Sequence, residues 1–209
     1  MNRTFVIVGT DTNVGKTVFA AALADALGAY YWKPVQSGLE DETDSQTVAR
    51  LGGLAPDRIL PEAWRLPLPA SPHIAARAAG VEIDAAALAP PQNLSPLVIE
   101  TAGGVMVPLT DDYLNIDLLA RWRLPVILVA RTALGTINHS LLTLEALRRR
   151  DIAVHGVAFI GDEYATAQQT IARIGKAPVL GRLPRLDPLN RETLSAAFAA
   201  RFSAEDFNI

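Results

Sequence analysis

Four places in this chain put charged or hydroxyl side chains where chemistry can be done. The first is Gly9-Thr-Asp-Thr-Asn-Val-Gly-Lys-Thr17, which follows the apolar run Phe5–Val8 and leads into a helical pattern. Backbone N–H groups of a tight turn and of a helix start converge on one concavity, where the helix dipole favours negative charge. Asn13, Val14, Gly15, Lys16, Thr17 and Val18 are therefore expected to cradle nucleotide phosphates. In such a loop the lysine reaches the outer phosphates and the threonine hydroxyl ligates a magnesium ion shared with them. Five residues rather than the usual four separate Gly9 from Gly15, and Thr10 stands where glycine is expected, so the tail of the motif carries the assignment.

The second place is Lys33-Pro-Val-Gln-Ser-Gly38, where an aromatic run delivers an ammonium group and Pro34 forces an extended exit. Position alone fits a surface lysine at a strand end. Charge compensation for a nucleotide and an anionic intermediate favours one that faces the phosphate loop. The third is Glu100, which closes Pro96-Leu-Val-Ile-Glu100 before the slim loop Thr101, Ala102, Gly103. A carboxylate there needs a partner: a magnesium ion, directly or through water, or a buried lysine. Asp44, in an acidic loop before a helix, reads from position as an N-cap. The fourth place is Gly135, Thr136, Ile137 and Asn138, at the entrance to a long helix, a second anion site suited to a substrate carboxylate. The three histidines have no partner visible in sequence.

Apolar β-rich runs alternate with helical segments along the whole chain, which predicts a single-domain α/β fold spanning 1–209: a doubly wound, mostly parallel sheet in three α/β/α layers. Strands are expected at Phe5–Val8, Tyr30–Lys33, Leu97–Glu100, Val126–Ala130, Val154–Ile160 and Val179–Leu183. Helices are expected at Lys16–Leu27, Ser45–Leu51, His73–Ala79, Ile116–Trp122, Asn138–Arg150, Thr166–Ile174 and Arg191–Arg201. In sheets of this class ligands sit at the carboxyl ends of the strands, where these candidates fall.

The 209 residues are half hydrophobic, enough for one sizeable core. A net charge of −3 without a basic block, apart from Arg148-Arg149-Arg150 at a helix end, argues against nucleic acid. With no cysteine, thiolate catalysis and disulfides are excluded. Neither a signal-peptide core nor a bilayer-length apolar stretch is present in the sequence, so a soluble, cytoplasmic protein without a membrane partner is expected.

The phosphate loop, Lys33–Gly38, Ser71-Pro-His-Ile-Ala-Ala76, Glu100-Thr-Ala-Gly-Gly104 and Leu134-Gly-Thr-Ile-Asn-His139 resemble, in order, five signatures of the dethiobiotin synthetase family, and the likeness covers nearly the whole chain. The resemblance implies an ATP- and Mg2+-dependent ring closure in biotin biosynthesis. In that family 7,8-diaminopelargonate takes up CO2 as a carbamate, the nucleotide γ-phosphate is transferred to it, and the second amine displaces phosphate. It implies that Lys16 and Lys33 neutralise the carbamate and the moving phosphoryl group, that Thr12 and Ser37 hold oxygens, and that Thr17, Asp44 and Glu100 hold Mg2+. It also implies a homodimer whose substrate tail reaches Gly135–Asn138 of the neighbouring subunit.

Many members have glutamate at the place of Asn13 and glycine at that of Thr101. Many also place an adenine-reading asparagine where this chain has Phe159-Ile160-Gly161-Asp162. Backbone groups at Ile160 and Gly161, with Pro184, Arg185 and Leu186, are then left to clasp the base, with little preference for ATP over other triphosphates. Two rivals share the motif: a partition- or division-type switch ATPase, and a non-enzymatic nucleotide-binding regulator. The absence of a lysine between Thr10 and Val14 weighs against the first, and Lys33 with Ser37 against the second.

Overall fold

A computed structural model describes residues 3–207; the predicted domain limits also take in residues 1, 2, 208 and 209, which lie outside the described residues. Nine strands and seven α-helices are found among the described residues, in the order β1 (Thr4–Gly9), α1 (Lys16–Leu27), β2 (Tyr30–Trp32), β3 (Val35–Ser37), α2 (Asp44–Gly52), β4 (Ile59–Leu60), β5 (Trp64–Leu66), α3 (Pro72–Ala78), β6 (Leu97–Gly104), α4 (Asn115–Trp122), β7 (Val126–Arg131), α5 (Thr136–Arg148), β8 (Val154–Ile160), α6 (Ala165–Gly175), β9 (Val179–Leu183) and α7 (Arg191–Arg201). Seven strands form one parallel sheet in the order β4-β2-β6-β1-β7-β8-β9.

The central strands are mostly apolar because both faces are covered, as a parallel sheet requires. Alternate residues go to opposite cores. Phe5, Ile7, Tyr31, Val98 and Ile127 pack with Phe19 and Leu23 of α1, Val48 of α2 and Phe198 of α7. Val6, Val8, Trp32, Ile99 and Leu128 pack with Ile116 of α4, Leu144 of α5 and Ile171 of α6. This is the expected three-layer arrangement. No helix among the described residues is long and apolar enough to cross a membrane.

The structure adds what the sequence pattern did not predict. β3 and β5 pair in parallel as a separate two-stranded sheet, packed with α3 over a small third core through Val35, Leu66 and Ala75. β4, two residues long, edges the main sheet. The expected strand end at Glu100 is also extended. Ile7 pairs with Glu100, but the next pair is Gly9 with Gly104, so β6 bulges by two residues just past the carboxylate.

Candidate active site

β1 and β6 bring the phosphate loop and Glu100 together, and β2 brings Lys33. Tyr31 pairs with Val98 and Trp32 with Ile99, so the next step in the same register sets Lys33 opposite Glu100. Strand alternation puts Tyr31 and Lys33 on the α1 side with Val98 and Glu100. The geometry agrees: Lys33 Nζ lies 3.1 Å from Glu100 Oε1 and donates to the Thr101 carbonyl at 3.3 Å. Helix α1 enters from that side through Gly15, whose φ of 95° suits glycine. A Cβ there would meet the Ile160 side chain at 2.9 Å.

Asp44 arrives from the start of α2. The N-cap is not Asp44, as position suggested, but Thr43, whose hydroxyl accepts from the Gln46 N–H while Gln46 answers on the Thr43 N–H. This capping box leaves the Asp44 carboxylate free for the site. Its Oδ1 accepts from the Thr17 hydroxyl at 2.8 Å and its Oδ2 lies 2.6 Å from Lys33 Nζ. The Thr17 hydroxyl is also 3.0 Å from Glu100 Oε1. Lys16 Nζ donates to the Asp11 carbonyl at 3.1 Å.

Two lysines and one carboxylate share a nearly dry corner, Lys16 6% exposed, Lys33 3% and Glu100 1%, with the Asp44 carboxylate at its partly open edge. Burial pushes the Lys16 ammonium down to about 8, with nearby Lys33 working the same way and Glu100 opposing. Lys33 also loses solvation, but Glu100 and Asp44 outweigh that and hold its pKa above the usual lysine value. Asp44 is opposed by burial and held below its usual range by Lys33 and the Thr17 hydrogen bond. Burial, Glu100 and Asp44 raise the Tyr31 phenol, whose hydroxyl donates to Glu100 Oε2 at 2.9 Å.

Lys16, Thr17, Lys33, Asp44 and Glu100 line a cleft of about 860 Å³ together with Thr12, Asn13, Gly15, Val18, Ser37, Ala102 and Gly103. Ser37 Oγ is buried without a hydrogen-bond partner, a place for a ligand oxygen. Ser71 and Pro72, at the start of α3, close the far wall. The donor set suits Mg2+: a hydroxyl and two carboxylates, hard oxygens that leave room for water and phosphate.

The other candidates lie outside this cleft. Val14 turns into the core beside α1, and the Thr101 hydroxyl bonds the Ile7 carbonyl. Ile160 and Gly161 sit at the tip of β8, tied to β9 because the Gly161 N–H donates to the Leu183 carbonyl. Pro184, Arg185 and Leu186 follow on that neighbouring tip. Gly135 caps α5, which begins at Thr136 rather than at the expected Asn138, so Thr136, Ile137 and Asn138 form its first turn. None of the three histidines lines the cleft. The arginine triplet is spent on surface bonds: Arg148 to the Lys176 carbonyl, Arg149 to Glu145 and Arg150 to Asp117.

Sequence reasoning missed Tyr31 and Gln36. Gln36 Oε1 accepts from the Asp44 N–H at 3.2 Å, and its Nε2 donates to the Ser37 carbonyl at 3.0 Å, joining β3 to α2. Alternation from Lys33 placed Tyr31 on the site face, a usable signal. Nothing local distinguished Gln36.

A family model described as an AAA domain matches residues 3–193. Among solved structures, a ParA family ATPase from Chlorobium tepidum aligns at TM-score 0.51 and 13% identity, covering 95% of this chain and 91% of that one. The MinC:MinD cell division complex of Aquifex aeolicus aligns at 0.53 and 15%, covering 93% and 86%. At such identities these neighbours share the fold alone. Curated relatives are far nearer. ATP-dependent dethiobiotin synthetases from Agrobacterium fabrum and Nitrobacter hamburgensis are 62% and 58% identical over 207 residues, covering 99% of this chain and 98% of each relative. The synthetase of Brucella melitensis is 59% identical over the same span. Identity at that level along nearly the full length of both partners, on a sheet that gathers both lysines at the phosphate loop, makes this chain a member of the ATP-dependent dethiobiotin synthetase family.

Proposed function

We propose that this chain is a cytoplasmic, single-domain enzyme that makes dethiobiotin from 7,8-diaminopelargonate, CO2 and ATP, as a ligase of biotin biosynthesis. The observation that carries it is the placement of Lys33, 3% exposed, on the wall of the cleft that Lys16 also lines. One amine of the substrate takes up CO2 as a carbamate. A carbamate oxygen then attacks the γ-phosphorus and releases ADP, and the second amine attacks the carbonyl carbon and expels phosphate to close the cyclic urea. Each step before the last gathers negative charge, and two ammonium groups in a water-poor corner compensate it without reorganising. Thr12 and the unpartnered Ser37 hydroxyl orient substrate oxygens.

Thr17, Asp44 and Glu100 would hold Mg2+, which supplies positive charge to the β- and γ-phosphate oxygens. Asn13 to Val18 hold the phosphates, beside Glu100, Thr101, Ala102 and Gly103. At the tips of β8 and β9 the base meets Ile160, Gly161 and the segment Pro184 to Leu186. The Ile160 carbonyl already accepts from Thr132 N–H and the Gly161 carbonyl from Arg182, so few free groups remain to tell one base from another.

The substrate carboxylate is held by Gly135–Asn138 of a second copy. Leu134, 92% exposed, and Leu142, 61% exposed, leave an apolar surface beside that turn, which supports a homodimer. The test is direct: nucleotide consumption in the purified protein should rise with added diaminopelargonate and bicarbonate, with dethiobiotin as product. Turnover indifferent to the diamine would favour the switch ATPase instead.

A further inference from the structure

The two oxygens of Glu100 have different neighbours. Oε1 belongs to the cleft, 3.0 Å from the Thr17 hydroxyl and 3.1 Å from Lys33 Nζ. Oε2 accepts from Tyr31, a residue that does not line the cleft and is 0% exposed. The sheet explains the reach. Tyr31 pairs with Val98, two residues before Glu100 on the same face, and a phenol spans that diagonal. The terminal torsion of a glutamate is broad, so the carboxylate plane is fixed only by what it bonds. Without the phenol, Oε2 would be a buried anionic oxygen in need of a donor, and Lys33 is already at hand.

We propose that Tyr31 is a positioning residue: by holding Oε2 it turns the Glu100 carboxylate so that Oε1, with Asp44 and Thr17, faces a divalent cation in the cleft. This rests on the metal site proposed above. Partners of this kind around a metal ligand typically change metal affinity 10- to 100-fold when removed. The phenylalanine variant fills the same volume and deletes only the donor.

The probe is Mn2+, titrated into the protein with bound ADP and followed by the electron paramagnetic resonance of the free ion. Tyr31→Phe is expected to raise the Mn2+ Kd at least about tenfold. Metal-free nucleotide affinity should stay within about twofold, and kcat should recover at high Mg2+, so that only the Mg2+ half-saturation moves. In a Glu100→Gln background, which itself weakens Mn2+ binding, adding Tyr31→Phe should have little further effect. A Tyr31→Phe protein with unchanged Mn2+ affinity beside a weakened Glu100→Gln protein would overturn the positioning role and leave the metal site standing. Unchanged affinity in Glu100→Gln would overturn the metal site and the proposal with it. Should Tyr31→Phe fail to fold, the Tyr31 hydroxyl proton of the unmutated protein, observed by site-selective labelling, is expected to shift when Mg2+ is added, and an unmoved resonance would overturn the role.

Discussion

At the phosphate end of the cleft, Lys16, Thr17, Lys33, Asp44 and Glu100 come from four segments and already bond to one another or to the loop. At the outlying end, Gly135–Asn138 and the tips of β8 and β9 stand outside the cleft, and Leu134 beside them is almost fully exposed. The first region is drawn from a single chain, with two ammonium groups facing two carboxylates. The second is a set of loop and helix-start segments whose described bonds are to their own neighbours, such as Gly161 N–H to the Leu183 carbonyl and Thr136 N–H to the Ala133 carbonyl. Charge chemistry needs preorganised groups in a dry place, whereas gripping the far ends of a nucleotide and of a diamine does not. The ends of this site are therefore expected to fail differently when altered.

The largest contrast should come from Lys33→Ala. Product formation is expected to fall at least about 100-fold, as for loss of one preorganised charge-stabilising group. Nucleotide affinity should change much less, which rapid-quench and equilibrium binding would separate. A variant that instead unfolds would reduce Lys33 to a structural ion-pair partner. Gly15→Ala comes next: with φ at 95° and Ile160 in the way, the loop must shift, and a loss of about 2 kcal/mol in nucleotide binding, near 30-fold, is expected by calorimetry.

At the outlying end, Asn138→Ala should raise the KM for the diamine roughly tenfold, the scale of one lost polar contact, with ATP affinity unchanged. Mixing Asn138→Ala with Lys33→Ala subunits sharpens the comparison. A site shared between copies regains function in half the sites of each mixed dimer, about a quarter of all sites after random exchange, whereas a site within one chain regains none. The smallest effect is expected at the base: ATP, CTP and GTP should differ in kcat/KM by less than about tenfold. Strong selectivity for ATP would show that the β8 and β9 tips read the base after all.

Much of this was legible in residue order. The alternation of apolar runs and helices announced the parallel sheet, and Gly15-Lys16-Thr17 announced the phosphate loop. Lys33, Ser37 and Glu100 stood out because residue order places them at or just after expected strand ends, where such sheets bind ligands, although β6 runs on past Glu100 to Gly104. The strands of two or three residues, β3, β4 and β5, were not, since so short a run carries no periodicity and forms only where a neighbour completes its hydrogen bonds. Position alone read Asp44 as a cap, while the family resemblance read it as a metal ligand; Thr43 and Asp44 are both good caps in sequence, and only the capping box with Gln46 chooses between them.

Residue order by itself determined which groups are available: a phosphate loop, two lysines and three oxygen donors, placed at helix starts or along and just beyond strands. Tertiary structure decided which of them meet. Register between β2 and β6 set Lys33 against Glu100, and strand alternation put Tyr31 behind the same carboxylate. Those decisions belong to the fold because parallel strands distant in the chain must pair before any of these side chains has a neighbour.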